Sequence, residues 1–173
     1  SDGQIVASML DEELARKGVI FTDMDSAIQQ YSGLLEPLFM TNVVKANDGY
    51  FAALHGAFWQ GGTFVYVPRG VNVPLPLRAA MWNKNRSASF PHTLIVLEEG
   101  AHAVFIDEYA SATTDRSGFH NGAVEIVVGD GAQLDYINWQ DLGRSVYNFT
   151  HERAHIKRDA TLHWILAGLG TKL

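Results

Sequence analysis

The sequence predicts a mainly β fold: stacked parallel β repeats of the β-helix kind, preceded by a short α-helical lead-in. Three observations carry that prediction. Four segments of similar texture recur, each turns at a polar corner, and after Asn47-Asp48-Gly49 the composition shifts to β-branched and aromatic residues in short glycine-punctuated runs. The segments are FVYVPRGVNVPLPL (64–77), LIVLEEGAHAVFI (94–106), VEIVVGDGAQLDYI (124–137) and AHIKRDATLHWI (154–165). The residues that follow their corners, Val71, Ala101, Ala132 and Ala160, are separated by 30, 31 and 28 positions. Gly70, Gly100 and Gly131 supply the positive φ that such a corner requires, and Asp159 takes that place in the fourth copy. One unit cannot bury its apolar face alone, whereas stacked units share a continuous core. A double-sheet jelly roll of the cupin type also uses short strands at regular spacing and is the competing architecture.

From Gln4 to Lys17, Ile5, Val6, Met9, Leu10 and Leu14 recur at helical spacing, and Gly18 supplies a stop. A second helix begins near Asp23 or Asp25, either of which suits an N-cap, and runs through Ala27, Ile28 and Tyr31 until Gly33 and Pro37 interrupt it. Strands are expected to dominate after Asn47-Asp48-Gly49. The chain therefore divides into a helical lead-in, residues 1–50, and a β-helix core portion, residues 51–173. Gly61-Gly62 precede no G-K-[ST] and no helix, so they are read as a turn into a strand rather than a phosphate loop. Pro68, Pro74 and Pro76 lack the donor an interior strand needs, which places the first unit at an edge or corner.

Composition limits the function classes. The chain is 173 residues long, 47% hydrophobic and 18% charged, enough apolar content for one folded unit. Its net charge is −6: residues 1–50 hold eight acids against three bases, and residues 51–173 hold eleven against ten. Without a basic stripe to neutralise phosphates, nucleic acid is not an expected partner. The longest apolar runs fall far short of the roughly 20 residues of a membrane span, and Ser1-Asp2-Gly3-Gln4 offers no basic export signal. A cytoplasmic location and no membrane partner are expected. The chain has no cysteine, so it forms no disulfide and gives no thiolate ligand to zinc or an iron-sulfur cluster. The sequons Asn85-Arg86-Ser87 and Asn148-Phe149-Thr150 are read as chance.

His151-Glu152-Arg153-Ala154-His155 matches H-E-x-x-H, the signature of zinc metalloproteases. That chemistry needs a helix, where residues four apart share a face and two imidazoles converge on one ion. Here the motif falls in the entering strand of the fourth repeat, where residues four apart lie about 13 Å from each other at roughly 3.3 Å per residue. Both histidines are expected on a partly solvated strand face. Glu98, Glu99, Asp107, Glu108 and Asp141 include candidates for an acid pair of carbohydrate chemistry, but nothing in the sequence positions them, and exposed carboxylates are expected. Trp59, Trp82, Trp139 and Trp164 lie in or beside apolar runs and are expected in the core rather than stacked on sugars. No residue is assigned as catalytic, cofactor-binding or metal-binding. Asn138-Trp139-Gln140 occupies a strand with a candidate interior face.

The stretches LHGAFWQGGTFVYVPRGVNVPLPL (54–77), FPHTLIVLEEGA (90–101) and RDATLHWILAGLGTKL (158–173), with the leader GVIFTDMDSAIQQY (18–31), resemble the SufB/SufD family of iron-sulfur cluster assembly proteins. Phe90-Pro91-His92 is more similar to the SufD branch. The resemblance implies a right-handed parallel β-helix and a non-enzymatic scaffold role in the SUF complex. It implies pairing with a SufB/SufD-type partner through the β-helix, recruitment of the SufC ATPase through a later C-terminal helical region, and an iron-sulfur cluster held transiently by the complex, not directly by this chain. It also implies that the family's β-helix continues past the equivalent of Leu173, so the chain is expected to be an N-terminal portion. An open last coil is expected to self-associate through residues 154–173. Zinc protease and carbohydrate-active β-helix or cupin protein are the alternative functions.

Overall fold

The computed structural model describes residues 10–83, 88–111 and 117–172. Helix α1 (Glu12–Arg16) is capped by Asp11, whose carboxylate accepts the Glu13 N–H at 2.7 Å, and the chain turns away at Gly18, φ 85°. The expected start of this helix at Gln4 lies outside the described residues. Strand β1 (Ile20–Asp23) follows, an element the sequence reading did not foresee. Asp23 then caps helix α2 (Met24–Leu35), accepting the Ser26 N–H at 2.8 Å, so of the two candidate caps Asp23 is the one used. The expectation of strands directly after Gly49 is corrected by helix α3 (Tyr50–Phe58). Its sequence YFAALHGAF is apolar nearly all round. Ala52 and His55 are buried, and Phe51 and Phe58 pack on the rings of Phe149 and Phe90 at 4.0 and 5.7 Å.

The remaining strands are β2 (Gly62–Val67), β3 (Leu77–Asn83), β4 (Ala88–Ser89), β5 (His92–Leu97), β6 (His102–Ser111), β7 (Gly118–His120), β8 (Ala123–Val128), β9 (Gln133–Asp141), β10 (Val146–Asn148), β11 (His151–Ile156) and β12 (Thr161–Gly168). They form three sheets, ordered β1-β2-β5-β8-β11, β12-β9-β6-β3 and β10-β7-β4. Among the described residues every pair is parallel except β1 with β2. This is a parallel β-solenoid of about four coils, 46% strand and 17% helix, with a short helix at its start. The stacked-repeat architecture is therefore the one adopted, not the jelly roll.

Register follows the repeat in the sequence. Val67, Leu97, Val128 and Ile156 stand side by side in successive coils. The corners also stack: the amides of Gly70, Gly100 and Gly131 each donate at 2.9 Å to a carbonyl of the next coil. Gly70, Gly100, Gly131 and Asp159 have φ of 67°, 66°, 65° and 56°. The same left-handed backbone is thus imposed four times, once on a residue with a Cβ. Asp159→Gly is expected to stabilise the chain by about 1 kcal/mol, because it relieves that left-handed strain. This corresponds to about 2–4 °C in the thermal midpoint of a chain this size. An unchanged or lower midpoint would show that the Asp159 side chain contributes to the corner.

Alternation along the strands divides the side chains between two environments. Val65, Ile95, Ile126, Leu134, Phe105 and Tyr136 fill the solenoid interior, while Phe64, Leu94, Val96 and Val127 point outward beneath α2, joined by Val43 of the lead-in. Arg69 with Glu99 and His163 with Asp135, each at 2.7 Å, link neighbouring coils on the exposed surface. Such surface pairs contribute little to stability.

Candidate functional site

The solenoid interior is apolar on its corner side and polar on the other. Thr63, Thr93, Val124 and Glu152 stand in one register row of the first sheet. Ala79, Asp107, Asn138 and Leu166 form a row of the second. Thr93, Asp107 and Asn138 of these rows are linked through side-chain hydrogen bonds. Tyr109 and Tyr136 donate their hydroxyls to Asp107 Oδ2 at 2.9 and 3.2 Å, and Thr93 Oγ1 lies 3.4 Å from the Tyr109 hydroxyl. Asn138 donates to the Tyr136 hydroxyl at 3.1 Å, and Gln140 donates to Asn138 at 2.7 Å. Asn148 donates to Gln140 at 2.7 Å, and Thr150 to Asn148 at 2.8 Å. The chain of bonds ends at an open groove lined by Gln140, Arg144, Asn148 and Lys172.

Burial decides the electrostatics here. Asp107 is 2% exposed, and loss of water pushes its carboxyl up to about 6 despite the hydroxyls that favour its ionised form. Burial, then the Asp107 charge, pushes Glu152 up to about 7, and its Oε1 has no partner among the described residues. Two carboxyls that disfavour each other's ionisation therefore share one interior. The expectation that the candidate carboxylates are exposed holds for Glu98, Glu99 and Asp141 and is corrected for Asp107. Strand β6 alternates strictly, and Asp107 falls in its inward phase with Ala103, Phe105 and Tyr109.

A second buried set joins α3 to the solenoid. His55 lies 3.1 Å from His92 Nδ1 through Nε2 and 2.9 Å from the Asn121 carbonyl through Nδ1. His120 Nδ1 is within 3.0 Å of Ser89 Oγ and 3.2 Å of Asn83. Burial, followed by the neighbouring His55, lowers His92 strongly and His120 to about 4. These imidazoles are neutral structural groups at neutral pH.

HERAH is strand β11, as expected from its place in the repeat. Glu152 is in register with the interior Val124, whereas His155 is in register with the outward Val127. The glutamate thus faces inward and the histidines outward, opposite to the arrangement a zincin requires. Among the described residues no group of three or more His, Asp or Glu side chains is placed to hold a metal ion. The core placement expected for the tryptophans is corrected for two of them. Trp59 packs on Phe39 and Trp164 on Tyr136, while Trp82 and Trp139 are 64% and 42% exposed on the outward phase of β3 and β9. Asn138 and Gln140 do take the inward phase, as their neighbour Trp139 turns outward.

The signal sequence reasoning missed was the polar residue in an inward phase, which alternation identifies once strand bounds are known. Among the described residues no helix is long and apolar enough to cross a membrane.

Fold and interior together define a parallel β-solenoid module with a helical lead-in and a hydrogen-bonded set of polar side chains inside its coils. The chain belongs to the SufBD family of the SUF iron-sulfur cluster assembly system. Residues 80–173 match the family described as "SUF system FeS cluster assembly, SufBD core domain", and residues 2–79 match "SufBD protein N-terminal region". An iron-sulfur cluster assembly SufBD family protein of Staphylococcus aureus (strain MRSA252) is 35% identical over 99% of this chain. One of Staphylococcus haemolyticus (strain JCSC1435) is 34% identical over the same share. The chain spans 37% of the length of each of these relatives.

Proposed function

We propose that this chain is the β-solenoid portion of a non-catalytic scaffold subunit of the SUF complex, pairing with a SufB/SufD-type partner and working with the SufC ATPase in the cytoplasm. The observation that carries this reading is the match of two successive family regions, which meet at residues 79 and 80, to a chain that folds as a helical lead-in followed by a parallel β-solenoid. The cluster is cargo in this scheme. With no cysteine, the chain offers it no thiolate, so thiolate ligands come from elsewhere in the complex. The Phe90-Pro91-His92 stretch favours the SufD branch. The test is copurification of the whole protein with SufC and its SufB/SufD-type partner, together with metal analysis of the isolated 173-residue chain. A stable complex and background zinc are expected. About one zinc per chain, with proteolytic activity lost in Glu152→Ala, would replace the scaffold reading by the protease one.

A further inference from the structure

We propose that residues 36–49 form a strap fastened across the outer face of the five-stranded sheet by the Glu125 carboxylate, and that strap opening is linked to a proton on that carboxylate. Glu125 is fully buried, between Leu94 and Arg153 in register. Its two oxygens accept the Met40 N–H at 3.0 and 3.2 Å, and Oε1 also accepts the Val44 N–H at 3.1 Å. The strap is shaped to present these two amides. Met40 has φ 51°, and the Pro37 carbonyl accepts from Thr41 Oγ1 and Asn42 Nδ2 at 2.8 and 2.9 Å, closing the turn between them.

The rest of the fastening is apolar or exposed. Val43 and Val44 are buried, and Phe39 packs on Trp59 and His92. Arg153 reaches the Val43 carbonyl at 3.5 Å and pairs with Asp48, which accepts the Lys45 N–H at 2.7 Å. The charged groups that face Glu125 are therefore Asp48 of the strap and Arg153 of β11, with Lys45 beside Asp48. Tyr31 of α2 and Tyr66 of β2 pack on the apolar cluster that holds its register neighbour Leu94, and the neutral His92 lies two residues before Leu94 on β5.

Burial raises Glu125 to about 7 against the two amides, and the Asp48 charge adds to the rise. An open strap returns the carboxyl to water and to its ordinary value near 4.5. A carboxyl raised in the closed state stabilises closure below the open-state value and loses that contribution as pH rises through about 7. The opening constant should therefore climb up to about tenfold per pH unit between roughly 4.5 and 7, then level off.

Residue-resolved hydrogen exchange of the 173-residue chain, corrected for intrinsic rates, tests this at the Met40 and Val44 amides, with Ile95 in β5 as reference. From pH 5 to 7 the opening constant at Met40 and Val44 should rise about 40-fold beyond any change at Ile95. Glu125→Gln should abolish the slope, and Asp48→Asn, which removes the Arg153 pair, should keep it. Met40 and Val44 tracking Ile95 at every pH, an unchanged slope in Glu125→Gln, or a lost slope in Asp48→Asn would each overturn the proposal.

Discussion

Replacing Gly62 by alanine should prevent this chain from folding. A Cβ at that position meets the backbone of the neighbouring coil, 2.0 Å from the His92 carbonyl oxygen and 2.5 Å from its nitrogen, and φ there is 119°. Neither obstacle yields, because the contacted atoms belong to strand pairing between β2 and β5 and not to a flexible side chain. A cost above about 4 kcal/mol follows, a large share of the stability of an ordinary domain. The readout is the far-ultraviolet strand signal and the fraction of soluble protein. Gly33→Ala in α2, where a Cβ meets nothing within 4 Å, serves as the control and should stabilise by about 0.5–1 kcal/mol. A Gly62→Ala chain that melts within a few degrees of the parent would refute the close approach of the first two coils.

Asp107→Asn should make the protein more stable at pH 8. Asp107 is raised to about 6 by burial, above its ordinary 3.8. A carboxyl raised in the folded state contributes stability below about 3.8 and loses it as pH rises through about 6. At pH 8 its ionisation in the interior costs about 3 kcal/mol by linkage, which a neutral isostere avoids while still accepting from Tyr109 and Tyr136. His120 acts in the opposite sense. Lowered to about 4 from 6.5, it loses its contribution as pH falls below 6.5, by up to about 3 kcal/mol. Between about 4 and 6.5 the buried carboxyls and imidazoles offset one another, so the parent's stability should be nearly flat there. Chemical denaturation from pH 4 to 8 separates the two contributions. The variant should gain about 2 kcal/mol at pH 8 and lose stability on acidification. A variant weaker than the parent at pH 8 would mean that the hydroxyls hold Asp107 ionised.

The parts of this fold legible in the sequence are those decided by neighbours in the chain. Corner glycines and Asp159 announce a positive φ wherever they stand, and the spacing of the residues after them is the spacing of the coils. The Asp23 cap is local in the same way. HERAH could be rejected as a zinc motif because a strand spaces His151 and His155 about 13 Å apart. Long-range decisions were not legible. Helix α3 is apolar nearly all round, so no stripe distinguishes it from a strand. Asp107 looks like any surface acid until Tyr136, 29 residues on, supplies a hydroxyl. Glu125 reads as one acid among many, since its partners are backbone amides 81 and 85 residues earlier.

Those separations give the strap a place in time as well as in space. A chain leaving the ribosome N-terminus first has made Met40 and Val44 long before Glu125 exists, and Val43 precedes Arg153 by 110 residues. Each solenoid coil needs only its predecessor about 30 residues back, so the coils can assemble in sequence as they emerge. The strap cannot. It closes only after the third and fourth coils are built, and its closure records that those two coils are in place.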